Sequence, residues 1–232
     1  MKRIAILQSN YIPWKGNFDM IHMVDEFVLY DDMQYTKRDW RNRNRIKTPT
    51  GLQWLTIPVC TKGKFKQKIN ETEVLSSKWV DEHLRAICCN YAKADCFLEY
   101  FPSIRELYNQ CKDEKFLSNI NYIFLKGICE LLGIDTKITK SSDYIMGGGR
   151  TEQLVNICLQ AGANEYLSGP AAKSYIDENI FREADIQLCW MDYANYPEYA
   201  QLYGTFIHEV TILDMLMNVG EKARQYMKSF AE

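Results

Sequence analysis

The sequence predicts an α/β fold with a mainly parallel sheet and a helical insertion. Three observations predict it. Short apolar runs recur at Ile4–Leu7, Glu26–Tyr30, Asp135–Thr139, Glu165–Gly169 and Ile186–Trp190. Segments of helical spacing lie between them, so strand and helix types alternate. The first strand, loop, helix and strand occupy about thirty residues, the length of a βαβ unit.

Each element has a local reason. Ile4–Leu7 leads into the turn-rich Gln8-Ser-Asn-Tyr-Ile-Pro-Trp-Lys-Gly16, and Phe18–Val24 has helical spacing. Glu26–Tyr30 ends at the paired carboxylates Asp31-Asp32. Thr48-Pro-Thr-Gly51 reads as a turn before a strand at Leu52–Val59. A helix starts near Ser76, with Trp79, Leu84, Ile87 and Cys88 on one face. Further helices are expected at Phe101–Cys111 and at Leu117–Leu132, the latter stopped by Gly133. Three glycines, Gly147–Gly149, precede a helix from about Glu152 to Ala161, closed by Gly162. A short helix at Tyr175–Phe181 and an amphipathic one at Phe206–Val219, stopped by Gly220, complete the chain. The expectation is one α/β domain, 1–232, carrying a helical subdomain at about 76–133, on a Rossmann-like sheet.

Composition narrows the function. The 232 residues carry a net charge of −2, so any basic surface is a patch and nucleic acid is not an expected partner. The apolar run at the N-terminus is too short for a signal sequence, and no stretch approaches a membrane span. A cytoplasmic protein is expected. The eight cysteines show no CxxC pair, and reduced thiols are the simplest reading. Cys129, Cys158 and Cys189 lie in apolar runs and read as small core residues.

Ligands of open parallel sheets bind at the carboxyl ends of the strands, where strand order reverses. That rule selects Gln8–Gly16, Asp31–Gln34 and Ser168–Pro170 as walls of one cleft. Gln8 falls where a strand-end side chain faces such a cleft, and the loop before a helix offers backbone N–H groups to an anion. Adjacent carboxylates on a strand point to opposite faces, so Asp31 and Asp32 enter one site only if the strand has ended. Lys37, Arg38, Arg41, Arg43, Arg45 and Lys47 are packed among Gln34, Tyr35, Asn42 and Asn44. Arginine forks suit phosphate, although a structural ion cluster would use the same residues. The glycines before the 152–161 helix fit neither GxGxxG nor a P-loop. His22, His83 and His208 have no metal-ligand spacing, and paired aspartates alone are a weak metal signal, so no metal site is expected.

Several of these segments together resemble the WbqC-like family. They are Gln8-Ser-Asn-Tyr-Ile-Pro-Trp-Lys-Gly-Asn-Phe18, Asp25 through Asn44 with its Asp-Asp-Met-Gln-Tyr and Arg-Asn-Arg elements, and Gly51 to Val59. Tyr166-Leu-Ser-Gly-Pro170 and Thr211 to Gly220 add to the resemblance. Family members occur with surface-polysaccharide enzymes and are described as glycine, or more broadly aminoacyl, transferases. The resemblance implies amide formation on an amino sugar, nucleotide-linked, in O-antigen or related lipopolysaccharide assembly. The implied donor is a phosphopantetheine thioester on an acyl or peptidyl carrier protein, with no tightly bound cofactor. On this reading Asp32, Asp31 or His208 does the acid–base work. Gln8, Asn10, Trp14, Gln34, Tyr35, Arg38, Arg41, Asn42, Arg43, Ser168 and Gly169 hold substrate. Two other readings stand beside it: a nucleotide-dependent transferase or ligase of the nucleotidyltransferase-like class, which would want a His pair absent from the first loop, and a non-catalytic binder of glycan precursors.

Overall fold

The computed structural model describes residues 1–231. Five strands form one wholly parallel sheet: β1 (Arg3–Leu7), β2 (Glu26–Leu29), β5 (Lys137–Lys140), β6 (Glu165–Ser168) and β7 (Gln187–Trp190), in the order β5-β2-β1-β6-β7. The chain works outward from β1 to one edge, then returns beside β1 and proceeds to the other. This is a doubly wound, Rossmann-like arrangement, and its switch point lies between β1 and β6.

Alternation along the strands feeds two hydrophobic layers, because successive side chains leave opposite faces. Ala5, Phe27, Leu29 and Leu167 pack with α1 (Lys15–His22), α4 (Leu117–Leu132) and α7 (Ile212–Val219). Ile4, Ile6, Val28 and Tyr166 pack with α5 (Arg150–Gln160) and α6 (Glu178–Glu183) on the other face. Burial of each such large apolar side chain contributes roughly 1.5–3 kcal/mol. Between β2 and β5 lie an antiparallel hairpin, β3 (Arg43–Thr48) with β4 (Gly51–Thr56), and the helices α2 (Lys78–Tyr91), α3 (Phe97–Gln110) and α4. Buried residues of all three helices share the hydrophobic layer that contains α1.

The structure corrects several boundaries. The cationic segment contains a strand, β3, because Asn44, Ile46 and Thr48 turn inward while Arg43 and Arg45 stay at the surface. The helix expected from Phe101 starts at Phe97. The helix expected at Tyr175–Phe181 is displaced to Glu178–Glu183, because Asp177 accepts from the Asn179 N–H and caps it there. The last helix begins at Ile212 rather than Phe206. Thr211 caps it, and its own N–H is donated to the Arg45 carbonyl at 2.9 Å, which leaves 206–210 irregular. On α2 the inward face is Trp79, Val80, His83, Ile87 and Tyr91, so Cys88 is exposed. The shift follows from i, i+4 spacing through 83, 87 and 91. Cys129 and Cys158 are buried and Cys189 is partly so, and all eight cysteines are free. Among the described residues no helix is long and apolar enough to cross a membrane.

A candidate strand-end cleft and its neighbouring cavity

At the switch point the loops after β1 and β6 diverge and leave a cleft of about 460 Å³. Gln8 and Ser168 extend from the two strand ends, with Gly169 beside Ser168. Tyr30, Met33 and Gln34 come from the segment after β2, Arg150 from the first turn of α5, and Arg41 from the segment before β3. Burial, reinforced by the negative charge of Asp32, raises Tyr30 to about 12. Its hydroxyl therefore stays protonated and donates to Gln153 Oε1 at 2.6 Å.

Arg41 fixes the floor of this cleft. Its Nη1 donates to the carbonyls of Gln8 and Ser9 at 3.2 and 3.3 Å and to the Asn10 side-chain oxygen. Its own carbonyl accepts from Asn121 Nδ2 at 2.9 Å. Burial pulls the guanidinium's pKa down, and the carboxylates of Asp39 and Asp31 oppose that shift. An arginine is still a cation after such a shift. The loop is also gripped from the helical side. The Tyr11 hydroxyl meets His83 Nδ1 at 2.9 Å and the Tyr108 hydroxyl, all three buried. Burial brings His83 down to about 4, so this clamp uses a neutral imidazole at physiological pH.

The same loop borders a second cavity, of about 450 Å³, through Asn10. Asn10, Trp14 and His208 line it, with Trp40 and the segment Tyr193–Tyr196. The His208 ring packs edge-on against Phe206, and its Nδ1 has no hydrogen-bond partner among the described residues. Two buried lysines peg down the long segment between β7 and α7 that forms this wall. Lys15 Nζ donates to the Pro197 carbonyl at 2.6 Å, and Lys47 Nζ donates to Gln201 Oε1 and to the Thr205 carbonyl. Burial lowers Lys15 to about 8. Asp214, buried in α7, accepts from Tyr91, Tyr199 and Gln201 and ties the same segment to the core.

The sequence profile of the WbqC-like protein family matches residues 8–226. The chain belongs to that family. It is also 51% identical over 228 residues to a protein of Mycobacterium tuberculosis (strain ATCC 25618 / H37Rv) named uncharacterized protein Rv1507c, with 98% of each chain covered. No solved structure matches the chain.

The remaining residues singled out in this WbqC-like chain have other surroundings. Asp31 is buried and accepts from the Ser9 N–H at 2.8 Å and from the Ser118 hydroxyl, joining the loops after β1 and β2 to α4. Asp32 turns the other way, accepting from Ser141 Oγ at 2.7 Å, Asn70 Nδ2 at 3.2 Å and Lys68 Nζ at 3.4 Å. Burial alone would raise Asp32, but those hydrogen bonds and the Lys68 charge hold it below the usual carboxylate range. Asn42 is buried and donates to the Ile57 carbonyl. Tyr35 is buried as well. Arg38 is exposed with φ of 61°, and its carbonyl accepts from Arg43. The Arg43 guanidinium stacks on Trp54, 4.1 Å from the ring centre. Of the dense cations, Arg41 is the one that reaches the cleft.

Sequence reasoning missed Tyr30, Arg150 and Tyr175 in the cleft, and the Tyr193–Tyr196 wall of the second cavity. Arg150 had a readable signal, since it directly follows Gly147–Gly149 at the start of a helix. Tyr193–Tyr196 had none, because tertiary contacts from Lys15 and Trp14 put it there.

Gly16 explains how Trp14 reaches its position. A Cβ at residue 16 would overlap the Trp14 indole, which is held against Tyr193 and Tyr196 with ring centres 5.3 Å from each. Alanine gains about 1 kcal/mol of helix propensity over glycine, whereas overpacking costs roughly 1–3 kcal/mol. Gly16→Ala should therefore destabilise the protein slightly and move Trp14. A lowered Tm with an altered tryptophan emission maximum is the expected result; an unchanged spectrum would show that the ring is not wedged.

Proposed function

We propose that this protein is an aminoacyl transferase that forms an amide on a nucleotide-linked amino sugar, using a carrier-protein thioester, in surface-polysaccharide assembly. The observation that carries the reading is the pair of similar-sized cavities bordered by one loop, the first through Gln8 and Arg41 and the second through Asn10, which accepts from Arg41. One offers two guanidinium groups, hydroxyls and a strand-end loop; the other offers aromatic rings and an imidazole. A substrate with a phosphate half and a sugar half has a place for each. Family membership supports the reaction class, and the doubly wound sheet supports a nucleotide at the strand ends.

Phosphate oxygens are held by Arg41 and Arg150, with Ser168 and Gln8 beside them. The amine lies across Arg41, near His208. Its nitrogen attacks the thioester carbonyl, the C–N bond forms, the C–S bond breaks and the carrier thiol leaves. The imidazole takes the amine proton and delivers one to the departing sulfur. Asp31 and Asp32 already accept from neighbouring groups, and Asp32, held below the usual carboxylate range, is a weak base at neutral pH. They hold the loop after β2 that shapes the cleft, so His208 is assigned the proton transfer.

Incubating the protein with UDP- or dTDP-linked amino sugars and aminoacyl-pantetheine tests this, with the amide detected by mass spectrometry. His208→Ala should cut kcat by about 100-fold or more, the lower end for general-base catalysis, with little change in nucleotide-sugar affinity. Equal turnover by the variant removes His208 from the chemistry. Binding without amide formation in the wild-type favours a glycan-precursor binder, and product formed only with ATP favours the nucleotide-dependent class.

A further inference from the structure

We propose that the cavity between Trp14, Trp40 and the Tyr193–Tyr196 segment is a subsite for a pyranose ring carrying a free amine. This rests on the transferase reading above and adds where the sugar half of the acceptor sits.

The cavity's chemistry differs from that of the cleft. Its walls are indole and phenol rings from Trp14, Trp40, Tyr193 and Tyr196, and its volume falls within the roughly 300–1,000 Å³ of small-molecule sites. Its lining includes no lysine or arginine, and its one carboxylate is Glu209. A phosphate would find no counter-charge there and would face an anion. A pyranose offers an apolar C–H face to the rings and a rim of hydroxyls that both donate and accept. Side-chain amides match such a rim, since each carries a carbonyl acceptor and two N–H donors.

Not every amide in the lining is free for this. Asn44 is engaged by the backbone, donating to the Tyr11 and Ile12 carbonyls and accepting from the Arg45 N–H. Asn10 accepts from Arg41 through its oxygen and keeps its amino group for a ligand. Asn17 and Asn195 complete the set. Asn195 has φ of 55°, the left-handed region that asparagine adopts more readily than most residues with a side chain.

An amine selects a hexosamine over a neutral hexose here. Glu209 is exposed at the rim, and its carboxylate can accept from an ammonium. Asn10 borders this cavity while Gln8 borders the cleft, so a sugar here and a diphosphate there would touch the same loop two residues apart in sequence.

The test compares calorimetric affinities of UDP, UDP-hexose and UDP-amino-hexose, with methyl hexosaminide followed by tryptophan fluorescence. UDP-amino-hexose should bind at least ~10-fold tighter than UDP. Glu209→Gln should remove the preference for amine over hydroxyl, and Asn195→Gly should weaken both sugars, while UDP affinity stays as in the wild-type. Circular dichroism and Tm establish that the variants fold. If UDP binds but the sugar adds no affinity, or the variants keep the full sugar increment, the subsite is wrong and the cleft reading stands. If UDP does not bind but the hexosaminide still quenches tryptophan, the subsite stands and the phosphate cleft falls. If neither binds, both are overturned.

Discussion

Glu26→Ala should lower the unfolding free energy by about 3 kcal/mol at neutral pH. Glu26 begins β2, between β1 and β5, and its side chain is almost wholly buried. Burial alone would raise its pKa. Four donors outweigh that and hold it at about 2: Lys2 Nζ at 2.7 Å, the Tyr144 hydroxyl, Thr139 Oγ1 at 2.8 Å and Lys137 Nζ at 3.2 Å. The ordinary value is 4.5. A depressed carboxylate contributes its stability in full above the unfolded-state pKa and loses it as pH falls through the folded one. The gap between wild-type and variant should therefore be constant from neutral pH down to about 4.5 and close towards pH 2. Urea titrations across that range measure it directly. A gap that does not narrow in acid would mean that packing rather than charge accounts for the effect. Because Glu26 sits at the opposite end of the strand from the cleft, ligand affinity should survive wherever the variant is folded.

Arg41→Ala should have the largest effect on ligand binding. This guanidinium is fixed by three acceptors in the Gln8–Asn10 loop and lines the cleft. Its removal takes away the proposed phosphate partner and frees the Gln8–Asn10 loop. Truncating one member of a buried, hydrogen-bonded charge pair typically costs 2–5 kcal/mol, so nucleotide-sugar affinity should fall by roughly 30-fold or more. Arg41→Lys should recover only part of it, since an ammonium keeps the charge but not the planar fork that spans the loop. Titration calorimetry on folded variants checks this. Unchanged affinity in Arg41→Ala would remove the phosphate role.

Much of the sheet was legible because its signals are local. Ile4–Leu7 and Glu26–Tyr30 stand out as apolar runs, and Gly133 and Gly162 adopt the positive φ that ends α4 and α5. The strand-end rule pointed to Gln8–Gly16, Asp31–Gln34 and Ser168–Pro170; of these Gln8, Met33, Gln34, Ser168 and Gly169 line the cleft, whereas Asn10, Pro13 and Trp14 line the second cavity. Other features depend on partners far away in sequence. Arg43–Thr48 reads as a charged stretch, and it becomes a strand only through pairing with β4 and burial of Asn44 and Ile46. Asp31 and Asp32 lie in a turn past the end of β2, and they diverge through partners, Ser9 and Ser118 on one side and Asn70 and Ser141 on the other, that could not be read locally. His208 looked like part of a helix because its neighbours are apolar. The Thr211 cap and its bond to the Arg45 carbonyl place it instead on the wall of a cavity.

The central claim is that the β1–β6 switch point holds the phosphate end of a substrate whose other end crosses Arg41. A crystal structure with a nucleotide-linked amino sugar tests this most directly. The expected result is phosphate density within hydrogen-bonding distance of Arg41 or Arg150, with the sugar directed past Asn10 towards Trp14 and His208. Well-defined ligand density elsewhere, with the cleft between Gln8 and Ser168 holding only water, would contradict the account.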